Sequence, residues 1–302
     1  MTTTDTRRSA SGVRHPEDET QTPEAERRTP NPSGIAAAFA AHKAAGRTAI
    51  VPFITAGYPD METTEQTLLG LIEGGAAVIE VGVPFSDPLA DGPTVQRTSQ
   101  VALAAGTRLV DCIDLVRRMR GVHGVTTPLI LFGYYNPFFQ MGIEECVAAC
   151  AAAGVDGYIV PDLPADESAD FAAACRAHGR DLIFLVAPTS TDARLQDMAT
   201  KASGFVYCVS VTGTTGARDK ISEELPAYIA RVRAATDLPL AIGFGVSTPE
   251  HVRFYGELVE GAVVGSALIN YLDRFEPADR RAAATAYMRY LRGEADLPEP
   301  GA

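Results

Sequence analysis

The chain has 302 residues, a formal net charge of −12 and 46% hydrophobic residues, with no tryptophan. Its 26 basic residues against 38 acidic ones set it apart from phosphate-backbone binders, which normally show a basic stripe, so nucleic acid is a poor partner, and no run approaches the ~20 apolar residues of a membrane span. The length suits two average domains or one barrel of about 250 residues.

Residues 1–33 are nearly free of large apolar side chains and cannot offset their ordering entropy, which predicts a disordered tail. The stretch has neither the apolar centre of a signal peptide nor the acid-poor composition of a transit sequence. It holds five Arg against six Asp and Glu, so −11 of the charge belongs to the remaining 269 residues.

From Gly34 the texture alternates. A helix is expected over roughly 34–46, followed by eight short β-branched or aliphatic runs at 49–55, 77–82, 128–134, 157–162, 181–187, 205–210, 239–244 and 258–265. Each run precedes an Ala- or Leu-rich helical stretch, at about 34 residues per unit, the size of one βα repeat. Strict alternation implies a parallel sheet with right-handed crossovers. Eight units favour a single (β/α)8 TIM barrel over 34–295, with the extra N-terminal helix closing its bottom. The five cysteines (Cys112, Cys146, Cys150, Cys175, Cys208) contain no C-x-x-C pair. They read as buried thiols in a reducing, cytoplasmic setting, with no metal site implied.

In such a barrel the chemistry lies in the loops after the strands. No lysine falls in an expected strand or at its carboxyl end, which speaks against a Schiff-base mechanism. The five histidines do not converge on the mouth either, so acid–base work falls to carboxylates. Glu80 stands alone in the apolar run AVIEVG, sharing a face with Val78 and Gly82 by period-two geometry. Facing inward it is either an acid–base group with a raised pKa or a glutamate paired with an arginine inside the barrel. Asp91 ends the loop PFSDPLADGP (84–93) and either caps the helix entered at Pro93 or works beside Glu80. Gly243-Phe244-Gly245 and Gly265-Ser266, each a glycine-rich strand exit before a helix, have the makings of a phosphate cradle. The loop Thr212–Gly216 supplies donors or a lid, or is a plain surface loop.

These residues resemble one family. Val51–Gly57, the fourteen residues from Glu80 to Pro93, Pro161–Pro164, Thr215-Gly216-Ala217, Gly243–Gly245 and Gly265-Ser266 are similar, in order and spacing, to the tryptophan synthase alpha chain over roughly residues 34–292. Val211 departs from it, since some relatives carry Arg there. The resemblance implies retro-aldol cleavage of indole-3-glycerol phosphate to indole and glyceraldehyde 3-phosphate, without metal or organic cofactor in this chain. It implies that Glu80 moves protons at indole C3 and the glycerol hydroxyl, while Asp91 accepts the indole N–H. Gly216, Gly245, Gly265 and Ser266 would hold phosphate. Phe53, Phe132, Tyr134, Tyr207 and Phe244 would line the indole slot, and Thr215 would close over it. The implied partner is a pyridoxal-phosphate beta chain in an α2β2 complex, met by loops around Pro84–Pro88, Asn136-Pro137 and Asp162. Two other readings stand beside this one: another phosphate-binding barrel such as a sugar-phosphate isomerase or cyclase, and a non-catalytic barrel that activates a partner.

Overall fold

In a computed structural model, residues 1–2, 34–209, 218–243 and 245–299 are described, with 218–223 given by backbone alone. The chain divides into Met1–Asn31 and Pro32–Ala302. The first unit, where the tail is expected, lies almost wholly outside the described residues.

The second unit opens with helix α1 (Gly34–Ala44) and strand β1 (Ala49–Thr55). Helix α2 (Met61–Glu73), strand β2 (Ile79–Gly82), helices α3 (Pro93–Ala104) and α4 (Leu109–Gly121) and strand β3 (Leu129–Phe132) follow. Helices α5 (Tyr135–Met141) and α6 (Ile143–Ala153) lead to β4 (Gly157–Ile159), α7 (Ala169–Ala177), β5 (Asp181–Ile183) and β6 (Leu185–Val186). The last elements are α8 (Asp192–Lys201), β7 (Val206–Cys208), α9 (Arg218–Ala235), β8 (Leu240–Ile242), α10 (Pro249–Gly256), β9 (Gly261–Val264), α11 (Ser266–Leu272) and α12 (Arg280–Leu291).

All pairings are parallel, in the order β5-β4-β3-β2-β1-β9-β8-β7-β6. The two ends of that order, β5 and β6, are halves of the single run expected at 181–187, parted only by Phe184. The ring therefore closes through the chain itself, and the Phe184 carbonyl still accepts the Tyr207 N–H at 3.0 Å. This is the expected (β/α)8 barrel.

Strand alternation sorts the apolar side chains into two cores. Ile50, Ile54, Ile79, Val81, Val206, Leu240 and Val264 point outward to the helices. Val51, Val78, Ile130, Ile159, Ile183, Phe205, Ala241 and Val263 fill the barrel, where they are joined by Ile35 and Phe39 of α1. Phe39 is 1% exposed, and its ring lies 5.1 Å from that of Phe205. The first helix thus plugs the barrel floor, leaving the strand carboxyl ends free for a site. Among the described residues, no helix is long and apolar enough to cross a membrane.

Candidate active site

Glu80 pairs in register with Phe53 of β1 and Ile130 of β3. Val78, two residues earlier, belongs to the barrel interior, so the same face carries Glu80 inward. The side chain is 1% exposed, and Oε1 has no hydrogen-bond partner among the described residues. Burial alone pushes this carboxyl well above the usual range. Among the described residues, no arginine pairs with it.

Asp91 is half-buried on the loop between β2 and α3. Burial raises its pKa to about 6, while the neighbouring Tyr134 hydroxyl pulls it down. The carboxylate does not cap α3: Gly92 holds the N-cap position, and no side chain caps that helix. The loop is instead clamped at its main chain. Asp91 N–H donates to the Pro88 carbonyl at 3.0 Å, and the Gln96 amide donates to the Asp91 carbonyl at 2.9 Å. The Ala90 N–H donates to the Tyr134 hydroxyl at 2.8 Å. Neither Gln96 nor the Tyr134 hydroxyl stood out in the sequence; a Gln five residues past Asp91, on the first turn of α3, was the available signal.

Tyr207 on β7 connects the two carboxyls. Burial, then the nearby charges of Glu80 and Asp91, push its phenol well above its ordinary value. Phe53 and Phe132 meet edge to face at 5.3 Å above the barrel core. Gly82 makes room for them, since a Cβ there would lie 2.5 Å from Phe53 Cζ. Glu80, in register with Phe53 and close enough to act on Tyr207, therefore lies with these rings and Phe132 in the barrel interior. Tyr134 is 5% exposed, but its ring stacks on Phe85 at 5.0 Å and its hydroxyl turns to the 84–93 loop. Phe244, Thr215, Gly216 and the loop around Val211 lie outside the described residues.

The two expected anion loops differ. Gly265 is the N-cap of α11 with no side-chain cap, leaving first-turn N–H groups beside Ser266 without a side-chain acceptor. Gly265 is half-buried and packs near Phe53, its built Cβ falling 3.5 Å from Phe53 Cβ. Gly245 is exposed, with φ +68°, a conformation that favours glycine. Helix α10 does not start at Gly245 but at Pro249, and its N-terminus is already capped by Thr248, whose hydroxyl accepts the His251 N–H at 3.4 Å. Only the α11 end is open to an anion by this criterion.

The groups considered for other mechanisms sit elsewhere. Lys43 pairs with Glu260 at 3.3 Å and Lys201 with Asp197 at 2.8 Å, while the Lys220 side chain is outside the described residues. All five cysteines are free and buried. Among the described residues, no group of three or more His, Cys, Asp or Glu is arranged to hold a metal ion.

The family model described as tryptophan synthase alpha chain matches residues 39–295, most of this chain. The chain belongs to the tryptophan synthase alpha chain family. The tryptophan synthase alpha chain of Roseiflexus sp. (strain RS-1) is 50% identical over 261 residues, covering 86% of this chain and 100% of that relative. That of Geobacter sulfurreducens is 46% identical, covering 86% and 98%. A crystal structure of the Legionella pneumophila alpha chain superposes with a TM-score of 0.78 at 33% identity, over 87% of this chain and 97% of that one. A crystal structure of Mycobacterium tuberculosis tryptophan synthase in an aminoacrylate-bound form gives 0.76 at 33%, over 86% and 100%. As a tryptophan synthase alpha chain, this protein is a lyase that cleaves indole-3-glycerol phosphate in tryptophan biosynthesis. Membership decides against a sugar-phosphate isomerase or cyclase and against a non-catalytic activator. It also makes the chain a cofactor-free subunit that has a beta partner.

Proposed function

We propose that Glu80 and Asp91 share the chemistry of this cleavage within a barrel domain spanning residues 34–295. One observation carries the proposal: a dry carboxyl whose Oε1 has no hydrogen-bond partner among the described residues, and a second carboxyl whose pKa is raised to about 6, both act on the buried Tyr207 phenol inside the barrel. Burial keeps Glu80 protonated, so it has a proton to give to indole C3. The carboxylate this leaves then takes the proton from the glycerol hydroxyl as the carbon–carbon bond breaks. Indole and the aldehyde depart, and Glu80 is protonated again. Asp91, ionised above about pH 6, accepts the indole N–H and stabilises the positive charge that develops on the ring.

Phe53, Phe132, Tyr207 and Phe244 flank the indole, and Tyr134 lies behind the Asp91 loop. Gly265 and Ser266 at the open end of α11, with Gly245 and Gly216, hold the phosphate, and Thr215 closes over the slot. The beta partner docks on the same end of the barrel in an α2β2 complex, carries pyridoxal phosphate and receives the indole. Two exposed apolar side chains there support that contact: Leu89 on the 84–93 loop, 92% exposed, and Phe139 on α5, 56% exposed. The Asp162 side chain on that face accepts the Tyr135 N–H at 2.8 Å and so fixes the start of α5. Five buried free thiols support a cytoplasmic location.

The test is indole release from indole-3-glycerol phosphate, with and without a beta chain. Expected is release that Glu80→Gln slows by about 10²–10⁴-fold while binding of a glycerol-phosphate analogue survives. A Glu80→Gln enzyme with near-normal turnover would overturn the assignment.

A further inference from the structure

We propose that Tyr134 is a positioning residue for this reaction: its hydroxyl orients the Asp91 carboxylate and holds the 84–93 loop at the height where that carboxylate meets the indole N–H. The inference rests on Asp91 being the N–H acceptor.

The loop has little of its own to fix it. Ser86, Asp87, Leu89 and Ala90 are exposed, and the chain folds back through the turns Asp87–Leu89 and Pro88–Asp91. Among the described residues, two side chains reach in. Gln96 holds only main-chain carbonyls, those of Asp91 and Pro88. Among the described residues, the Tyr134 hydroxyl accepts the Ala90 N–H at 2.8 Å and lies close enough to the Asp91 carboxyl to pull its pKa down. Its own place is fixed by packing: it lies two residues past the end of β3, is 5% exposed and lies flat against Phe85 at an interplanar angle of 24°.

Hydrogen-bond direction follows from proton counting. A phenol has one proton and two acceptor sites. The Ala90 N–H already donates to the oxygen, so the phenol proton is free to turn to Asp91. A donor held there favours the charged carboxylate and leaves its remaining acceptor sites for the substrate N–H. The other titratable groups facing this corner are Glu80 on β2, Tyr207 on β7 and Asp162 after β4. None of these three supplies a hydrogen-bond donor to Asp91.

Tyr134→Phe keeps the ring and its stacking and deletes only the hydroxyl. In the complex with the beta chain, kcat for indole release should fall about tenfold or more, the scale of a lost charge-assisted bond, with KM little changed. The acid limb of kcat, near pH 6 when Asp91 is held, should move to higher pH, and Tyr134→Phe should add nothing to Asp91→Asn. Wild-type kcat and an unmoved acid limb would overturn the inference while leaving the role of Asp91 intact. So would a further loss in the double variant, or a loss confined to melting temperature. Should Asp91→Asn itself turn over normally, the acceptor role fails, and with it the inference.

Discussion

Replacing Glu80 with Gln should slow indole release and, as the pH rises, leave the variant progressively more stable relative to the parent chain. The Glu80 carboxyl is 1% exposed, and its pKa is raised above the ordinary 4.5 by burial alone. Below about pH 4.5 the folded and unfolded chains are both protonated, and this group costs nothing through titration. Above that value the unfolded chain loses its proton while the folded chain keeps it, so unfolding releases a proton. Stability then declines as pH rises, until the folded-state pKa is passed. The slope is about 1.4 kcal/mol per pH unit. Gln stays neutral throughout, so the stability difference between variant and parent should widen at up to that slope, or roughly 2–4 °C in Tm per kcal/mol for a chain of this size. Urea melts of both proteins between about pH 5 and 7 read the effect directly. In the same window kcat should drop about 10²–10⁴-fold, the usual worth of a positioned acid–base group. A stability difference flat with pH would mean that Glu80 ionises as it does in water, and the burial argument would fail.

For Asp91→Asn, turnover should fall steeply with a smaller change in substrate affinity, since the charge matters most where the ring becomes cationic. A loss visible only as a lower Tm would return the residue to a purely structural role. The parent kcat should rise with pH through about 6 as Asp91 ionises, and a pH–rate profile of Asp91→Asn should lack that limb. Phe39→Ala should cost about 3–5 kcal/mol in denaturant melts, because the ring is fully buried in the barrel floor. The fraction still folded should keep its kcat, since the floor lies at the other end of the strands; a cost under about 1 kcal/mol would show that the plug is dispensable. Because the chain has no tryptophan, indole fluorescence should change on mixing without a protein indole background; no change at saturating protein would argue against an indole slot.

The barrel was legible because its signal is repetitive: eight apolar runs at one spacing, each needing a helix to cover its outer face. The break at Phe184 was not, since DLIFLVA reads as one continuous strand and its interruption depends on how the ring closes. Strand ends were also overrun. The run expected to reach Tyr134 stops at Phe132, and Tyr134 serves as the N-cap position of α5. Glu80 could be singled out because one charge in an apolar strand has few places to go. The setting of Asp91 could not, because it depends on a hydroxyl that contacts the loop from 44 residues beyond Ala90. An aromatic residue near a site reads as slot lining, and only coordinates say which way its polar tip turns.

Glu80 and Asp91 share a mouth but differ in solvation, and on the proposed roles that difference serves binding as well as chemistry. The body of the chain already carries −11, and the substrate brings a phosphate anion. Two ionised carboxylates beside it would add repulsion that the neutral N–H donors at Gly265 and Ser266 would have to overcome. Keeping Glu80 dry removes one of those charges while the substrate binds, and the same proton is the one that C3 requires. Asp91 retains the other charge because the transition state needs it, and because a phenol proton and partial solvation keep it from following Glu80 upward. Raising the pH through the Glu80 pKa should therefore weaken substrate binding and slow the chemistry together, whereas lowering it through about 6 should slow the chemistry first.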